Sequence, residues 1–447
     1  MSQDQSPFSR RHALRRPLQL RRFAWRMVPV ACALAFSMPA AAHAQTTPPL
    51  STPVLTLSAL LDRVAAQYPT LLAARLEVDA ATQDMTAAER RAWPTLSAVV
   101  ESDANGSRAV PSRGIQAEHI LWDAGASAAR IEEARQSQQI SQTRLLLQQQ
   151  DLFLQVSTAW QSALGARERL HVALDTLERF RQFQLQMQRR VDADAAPRID
   201  LELINARMLQ TEVELGAARS ALALAVSRLE QLSGEADLLE RMDTAPPLLP
   251  AYGVAPFQQL LAQTDWEQVV NSSALLAKAR GEVALARNRI AAKKAEGFPQ
   301  WYVRVYQPVG AIPGNEDTRL SSFVGLRYSP GAGFASFAET QALATRMAST
   351  EQSVEASRRE ALQVLRSDRE EFQQTLSRMG TLEKSVAGSA SVLESYQRQF
   401  LAGRKSWQDL LNAVRECAQS RYALVDAKAA LLGAMQRLQI RMGQQPA

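Results

Sequence analysis

The chain has 447 residues, with 51 basic side chains against 45 acidic ones, a formal net charge of +6 and two cysteines. Residues 1–44 hold seven arginines against a single acid, Asp4, so the surplus charge is N-terminal and the rest of the chain is formally neutral. A nucleic-acid partner, which needs basic charge on the folded domain, is therefore not expected.

Taken in chain order, residues 1–44 read as a signal peptide. Arg10, Arg11, Arg15, Arg16, Arg21, Arg22 and Arg26 form a positive n-region, and Met27 to Met38 a short apolar core. Ala42-His43-Ala44 supplies the small-x-small cleavage pattern and places the mature start at Gln45. Cys32 belongs to the apolar core rather than to a lipidation site, because Pro29-Val30-Ala31 before it lacks the usual leucine. Only Cys417 then remains, so an intrachain disulfide is excluded. No later segment approaches the ~18 apolar residues of a membrane-spanning helix.

Residues 45–234 form the first of two structural repeats. Leu57 to Gln67 and Pro69 to Arg91 read as helices. Strands are expected near 95–104 and 115–122, since Leu96, Ala98 and Val100 alternate with Ser97, Val99 and Glu101. Asn105-Gly106-Ser107 between them matches a glycosylation sequon but reads as turn chemistry. Residues 124–191 contain no proline and one glycine, Gly165, and are rich in strong helix formers. Such a helix would be roughly 100 Å long. A further helix, 197–234, starts at Pro197 and ends at Gly234, positions each residue favours. Its apolar residues recur at three and four spacing, as lateral helix packing requires.

Residues 235–256 carry Pro246, Pro247, Pro250, Gly253 and Pro256 and read as a linker. The second repeat, 257–443, restates the first: a helix from Ser272 to Gly297, strands near 300–307 and 320–328, and long helices over 334–401 and 407–442. Trp93-Pro94 recurs as Phe298-Pro299, Arg75 as Arg280, Ile199-Asp200-Leu201 as Gln408-Asp409-Leu410, and Ser233-Gly234 as Met442-Gly443. The offset stays between about 205 and 209 residues. Self-similarity at one period marks a duplicated architecture.

Four strands cannot close a barrel, and an open sheet edge cannot be satisfied in hydrocarbon. The strands therefore pair in a soluble sheet, or several copies share one barrel. Trp93, Trp122, Trp301, Tyr302, Tyr306 and Tyr328 lie in or beside the hairpins, where interfacial aromatics contacting outer-membrane lipid would stand.

Trp93-Pro94-Thr95-Leu96, Leu121-Trp122-Asp123-Ala124-Gly125, Ala206-Arg207 with Leu232-Ser233-Gly234, and above all Tyr396 to Glu416 give the chain a resemblance to the TolC family of trimeric outer-membrane channels. The resemblance implies a fold that is mainly α with a small β part: a homotrimer whose 12-stranded β-barrel continues into a 12-helix periplasmic α-barrel. It also implies docking of a periplasmic adaptor (a membrane fusion protein) on the helix-to-helix tips, here Ala195, Pro197, Gly403, Arg404 and Ser406. Asp409 and Asn412 fall where the family narrows its tunnel entrance. Asp200 and Lys405 fall where neighbouring hairpins can be latched by a charge pair, with Phe400 standing in place of a tyrosine. The competing reading of Asp200 and Asp409 is plain helix capping. The first tip lacks a counterpart of Gly403, so its turn is expected to differ.

No catalytic constellation, cofactor site or metal-ligand spacing is present in the mature sequence: His119 and His171 stand apart and no phosphate loop occurs. The chain reads as a channel, not an enzyme, driven by an inner-membrane ABC transporter or efflux pump. Phe400-Leu401-Ala402-Gly403-Arg404-Lys405-Ser406-Trp407 leans toward type I secretion of a large adhesin or toxin. Small-molecule efflux is the alternative, and a soluble periplasmic coiled-coil adaptor a distant one.

Overall fold

The computed structural model describes residues 54–101, 112–249, 253–309, 319–329 and 335–446. The signal-peptide reading of residues 1–44 and the Asn105 sequon fall outside them.

Two short helices, α1 (Leu57–Gln67) and α2 (Pro69–Arg90), precede a hairpin of β1 (Thr95–Glu101) and β2 (Ser112–Trp122). The long α3 (Ala126–Asp192) and α4 (Arg198–Ser233) follow. After α5 (Leu238–Arg241), α6 (Val254–Gln263) and α7 (Trp266–Asn271) the plan repeats: α8 (Ala274–Glu296), β3 (Gln300–Pro308), β4 (Ser321–Arg327), α9 (Ala335–Leu401) and α10 (Trp407–Arg441). The long helices α3 and α9 have 67 residues each, close to 100 Å at ~1.5 Å per residue. Among the described residues no helix is long and apolar enough to cross a membrane.

Local chemistry sets the element ends. Thr56, Asp265 and Ser273 accept first-turn N–H groups of α1, α7 and α8, donors that the helix itself leaves unsatisfied. The sharpest corner leads from β2 into α3. Ala124 and Gly125 both take left-handed backbone (φ 52° and 88°), and the Asp123 carboxylate accepts the N–H groups of Gly125 (3.1 Å) and Ser127 (2.7 Å). Burial pulls the Asp123 carboxyl upward, but the Ser127 and Gly125 hydrogen bonds outweigh it and hold it below the usual aspartate range.

The four strands form one antiparallel sheet in the order β1-β2-β3-β4. The central β2–β3 pairing joins the two repeats, and β1 and β4 are its edges. A bulge between Ile120 and Trp122 brings Trp122 opposite Trp301.

Helix α3 is the spine of the molecule. It packs on α2 and α8 near the sheet and on α4 and α10 farther along, while α9 runs beside α8 and α10. Where α3 crosses α10, Gly165 meets Ala429 and Gly433 meets Gln161. Beside them the buried Ser157 hydroxyl donates to Gln436 at 2.7 Å. The proline-rich connection is held to this spine by one buried side chain. Arg167 of α3 donates to the carbonyls of Met242 (2.8 Å), Ala245 (3.0 Å) and Pro246 (2.9 Å). These carbonyls would otherwise lack partners in an irregular segment.

The helical tips and the two faces of the sheet

The two helix-to-helix tips share one backbone design. At the first, Ala193 N–H donates to Arg189 O at 3.2 Å, Ala195 N–H to Arg190 O at 2.8 Å, and Asp194 has φ 52°. At the second, Ala402 N–H donates to Arg398 O at 3.1 Å, Arg404 N–H to Gln399 O at 2.9 Å, and Gly403 has φ 71°. The expectation that the first turn differs is therefore corrected. Asp194 occupies the left-handed position of Gly403, which aspartate tolerates better than most side chains. Asp194→Gly should relieve that strain and stabilise the tip by up to ~1 kcal/mol, whereas Asp194→Val should destabilise it by at least as much; chemical denaturation of the two variants checks the order.

Both tips pack into one apolar cluster. Trp407 stands edge-on to Phe183 with ring centroids 6.0 Å apart and 5.0 Å from Phe400. Met187, Ile204, Leu410 and Val414 complete the cluster. The indole N–H of Trp407 donates to the carbonyl of Asp200 at 3.0 Å, joining the start of α10 to the start of α4. Cations close the outside: the Arg190 guanidinium lies 4.7 Å from the Phe400 ring centre and the Lys405 ammonium 4.3 Å from that of Tyr396. Sequence reading passed over Trp407 as a functional residue. Its signal was an aromatic at the first position of a helix directly after a charged turn.

Asp409 is engaged as a cap. Its N–H donates to the Ser406 hydroxyl (3.1 Å), that hydroxyl donates back to its carboxylate (2.8 Å), and Lys405 lies 3.7 Å from the same oxygen. The Ser406 hydrogen bond, with Lys405 behind it, holds the carboxyl below the usual aspartate value. A carboxyl lowered in this way stays ionised through the neutral range, and its capping contribution is lost only as pH falls through the lowered value. Asn412, one turn on, is half-buried. The Lys405–Asp200 charge pair is not formed within one chain, because Lys405 is drawn to Asp409, four residues along its own helix start. The Asp200 carboxylate, half-buried in the first turn of α4, takes no hydrogen bond or ion pair from a described residue. Ala195, Pro197, Gly403, Arg404 and Ser406 are all exposed at the ends of the tips.

At the other end of the molecule the sheet has two unlike faces, fixed by strand alternation and register. One carries Leu96, Val100, Ile115, Trp301, Val324 and Leu326, all exposed. The other carries Ser97, Gln116, Glu118, Tyr302, Arg304 and Tyr306. The expected interfacial group is corrected accordingly. Tyr302 and Tyr306 lie on the polar face, their rings covering Gly325 and Gly114 where a Cβ would collide with them. Trp93, Trp122, Trp301 and Tyr328 are exposed at the helical end of the sheet.

This geometry has known counterparts. A membrane protein from Pseudomonas aeruginosa superposes with a TM-score of 0.75 at 18% identity, over 87% of this chain and 90% of that one. The outer-membrane channel OprN gives 0.75 at 17% identity over 87% and 89%. The outer membrane protein VceC from Vibrio cholerae gives 0.74 at 13% identity over 87% and 96%. At these identities the likeness shows the fold. No curated protein matches by sequence. The family profile described as "Outer membrane efflux protein" matches residues 60–235, the span of the first repeat. Over that span the chain is similar to the outer membrane efflux protein family.

The matched profile and these channel neighbours are outer-membrane proteins. Among the described residues no group of histidine, cysteine and acidic side chains could hold a metal ion.

Proposed function

We propose that three copies of this chain assemble into one channel, each giving four strands to a 12-stranded barrel and four helices to a 12-helix periplasmic tunnel. One observation carries the reading. The sheet has two unpaired edges, β1 and β4, and one largely apolar exposed face, a combination tolerable in a bilayer only if β4 of one chain pairs with β1 of the next. The exposed apolar side chains Leu209, Val213 and Leu224 along α4 supply a matching lateral surface for a neighbour. Trp93, Trp122, Trp301 and Tyr328 then form the periplasmic-side aromatic girdle against lipid. The soluble adaptor reading has no use for such a face.

In the assembled state the tips are the entrance. Ala195, Pro197, Gly403, Arg404 and Ser406 present the docking surface for a periplasmic adaptor, which couples the channel to an inner-membrane pump. Asp409 and Asn412 line the narrowing. Asp200, unpaired within its own chain, is the acceptor for a cation of the neighbouring chain, with Lys405 as donor; Phe400 cannot add the hydrogen bond a tyrosine would. The segment Phe400 to Trp407 favours an ABC transporter and type I secretion of a large protein. Small-molecule efflux is the second reading, favoured by the fold shared with OprN.

A heat-modifiable trimer extracted from the outer membrane is the expected product, and a soluble monomer would end the channel reading. Deleting the gene should empty the culture medium of one large protein under the secretion reading, or raise susceptibility to small toxic compounds under the other. Asp200→Ala or Lys405→Ala should raise single-channel conductance in planar bilayers; an unchanged conductance from a folded trimer removes the latch.

A further inference from the structure

The two outer helices of the chain are complementary in size, level by level. Toward the tips α4 packs on α3, α3 on α10 and α10 on α9, so α4 and α9 flank the row. Helix α4 buries Ile204, Thr211, Leu215, Leu222 and Val226. At ~100° per residue a second row, Leu209, Val213, Gly216, Ser220 and Leu224, lies roughly 150° around the helix from them. All five are exposed, Leu209, Val213 and Leu224 by 64–75%. A helix in a closed ring of twelve touches its two neighbours on sides separated by about the same angle. On α9 the side away from the buried Leu393 and Phe400 carries Ser391, Ala387, Lys384, Gly380 and Ser377, also exposed. A Cβ at Gly216 or Gly380 would meet nothing within 4 Å, so no described neighbour in the same chain accounts for two glycines that weaken a helix interior.

Trp407 sets the two helices to one level at the tips, because its indole donates to the Asp200 carbonyl of α4 and its ring packs on Phe400 of α9. Counting equal numbers of residues forward from Asp200 and back from Phe400 brings Leu209 level with Ser391, Val213 with Ala387 and Gly216 with Lys384. Farther on, Ser220 falls level with Gly380 and Leu224 beside Ser377. Every level sets a larger side chain against a smaller one, and the one long side chain of the α9 row meets the one glycine of the α4 row. Two turns nearer the tips Glu202, with no partner among the described residues, falls level with Arg398.

We infer that α4 of one copy docks along α9 of the next in the register these levels define. The inference rests on the three-copy reading: a three-fold axis turns the chains without shifting them along it, so levels shared within one chain are shared between chains. Leu209, Val213 and Leu224 then leave water against Ser391, Ala387 and Ser377, the Lys384 stem crosses Gly216, and Glu202 meets Arg398. The occupant is a second copy because the two halves of the size pattern stand on opposite edges of one chain. Helix α9 also follows directly on the edge strand β4, so the helical seam continues the seam between sheets.

Paired cysteines in trimers extracted from the outer membrane test the register. Val213→Cys with Ala387→Cys should link most chains on oxidation into covalent dimers and trimers on a non-reducing denaturing gel. Leu224→Cys with Ala387→Cys is displaced by ~16 Å along the axis, beyond the reach of a disulfide, and should leave the chains unlinked. The single variants control for the native Cys417, which is buried. A size exchange gives a second readout. Ser391→Leu should lower the temperature at which the trimer dissociates, and adding Leu209→Ser should restore it, a rescue that only a contact in this register predicts. Trimers that link through the displaced pair as readily, or through neither pair, overturn the inference while leaving the assembly, as does a size exchange without rescue. A folded, soluble monomer would instead sink the three-copy reading on which the inference stands.

Discussion

Trp407→Ala is expected to lower stability by ~3–5 kcal/mol, the range for deleting a buried large aromatic, and to free the two tips of one chain from each other. The side chain is 4% exposed, sits between Phe183 and Phe400, and makes a hydrogen bond that spans the tips. Trp407→Phe separates its two contributions. It keeps most of the ring packing but leaves the Asp200 carbonyl without its donor, a loss of ~0.5–1.5 kcal/mol. The readouts are thermal unfolding and limited proteolysis. Cleavage within residues 193–197 or 402–406 should accelerate strongly for alanine and slightly for phenylalanine, while the sheet and the α3–α10 crossing stay protected. Equal cleavage of all three proteins would show that the tips are held by something other than this indole. The consequence for gating is specific. Under the trimeric reading proposed above, if the two hairpins of one chain move together, the entrance widens between chains, where Asp200, without a partner among the described residues of its own chain, is proposed to meet the neighbouring chain.

Much of this fold was legible because its signals are local. Proline-free stretches of alanine, leucine and glutamine mark the long helices, Pro197 and Gly234 mark ends, and alternation marks strands. The internal doubling identified Asp200 with Asp409, and both stand at the third helical position after their caps, Pro197 and Ser406. Side-chain partners were less accessible, because they depend on competition at close range. Lys405 could reach toward Asp200 or Asp409, and the helix geometry four residues apart decides for Asp409 within one chain. The tyrosines show the same limit. Tyr302 alternates with Trp301, but only the register opposite Gly325 and beside Glu118 tells that its ring covers a glycine and supports two arginines. The absence of a glycine at residue 194 suggested a different turn. It misled because aspartate also reaches the left-handed region, at a cost small enough for the surrounding hydrogen bonds to offset.

A second large effect is expected far from the tips. Asp368 of α9, 7% exposed, accepts from Arg437 Nε at 3.0 Å and Arg441 Nε at 2.7 Å on α10. It lies beside the apolar contacts of Phe372 and Leu438. Removing a buried charge partner typically costs ~3–5 kcal/mol because the other charge is left desolvated. The arginines here keep 23% and 30% of their side chains accessible, so about 3 kcal/mol is the expected loss for Asp368→Ala, the lower end of that range. Arg437 retains Glu371 at 2.6 Å, whereas Arg441 loses its ion-pair partner among the described residues. Arg441→Met should therefore cost under 1 kcal/mol, since Asp368 keeps Arg437 and the new side chain fits the apolar surroundings. The double variant Asp368→Ala, Arg441→Met should recover part of the loss, a coupling that a double-mutant cycle on the unfolding free energy measures. Purely additive losses would mean that the arginine reaches water without the carboxylate, and that α9 and α10 are held here by Phe372 and Leu438 alone.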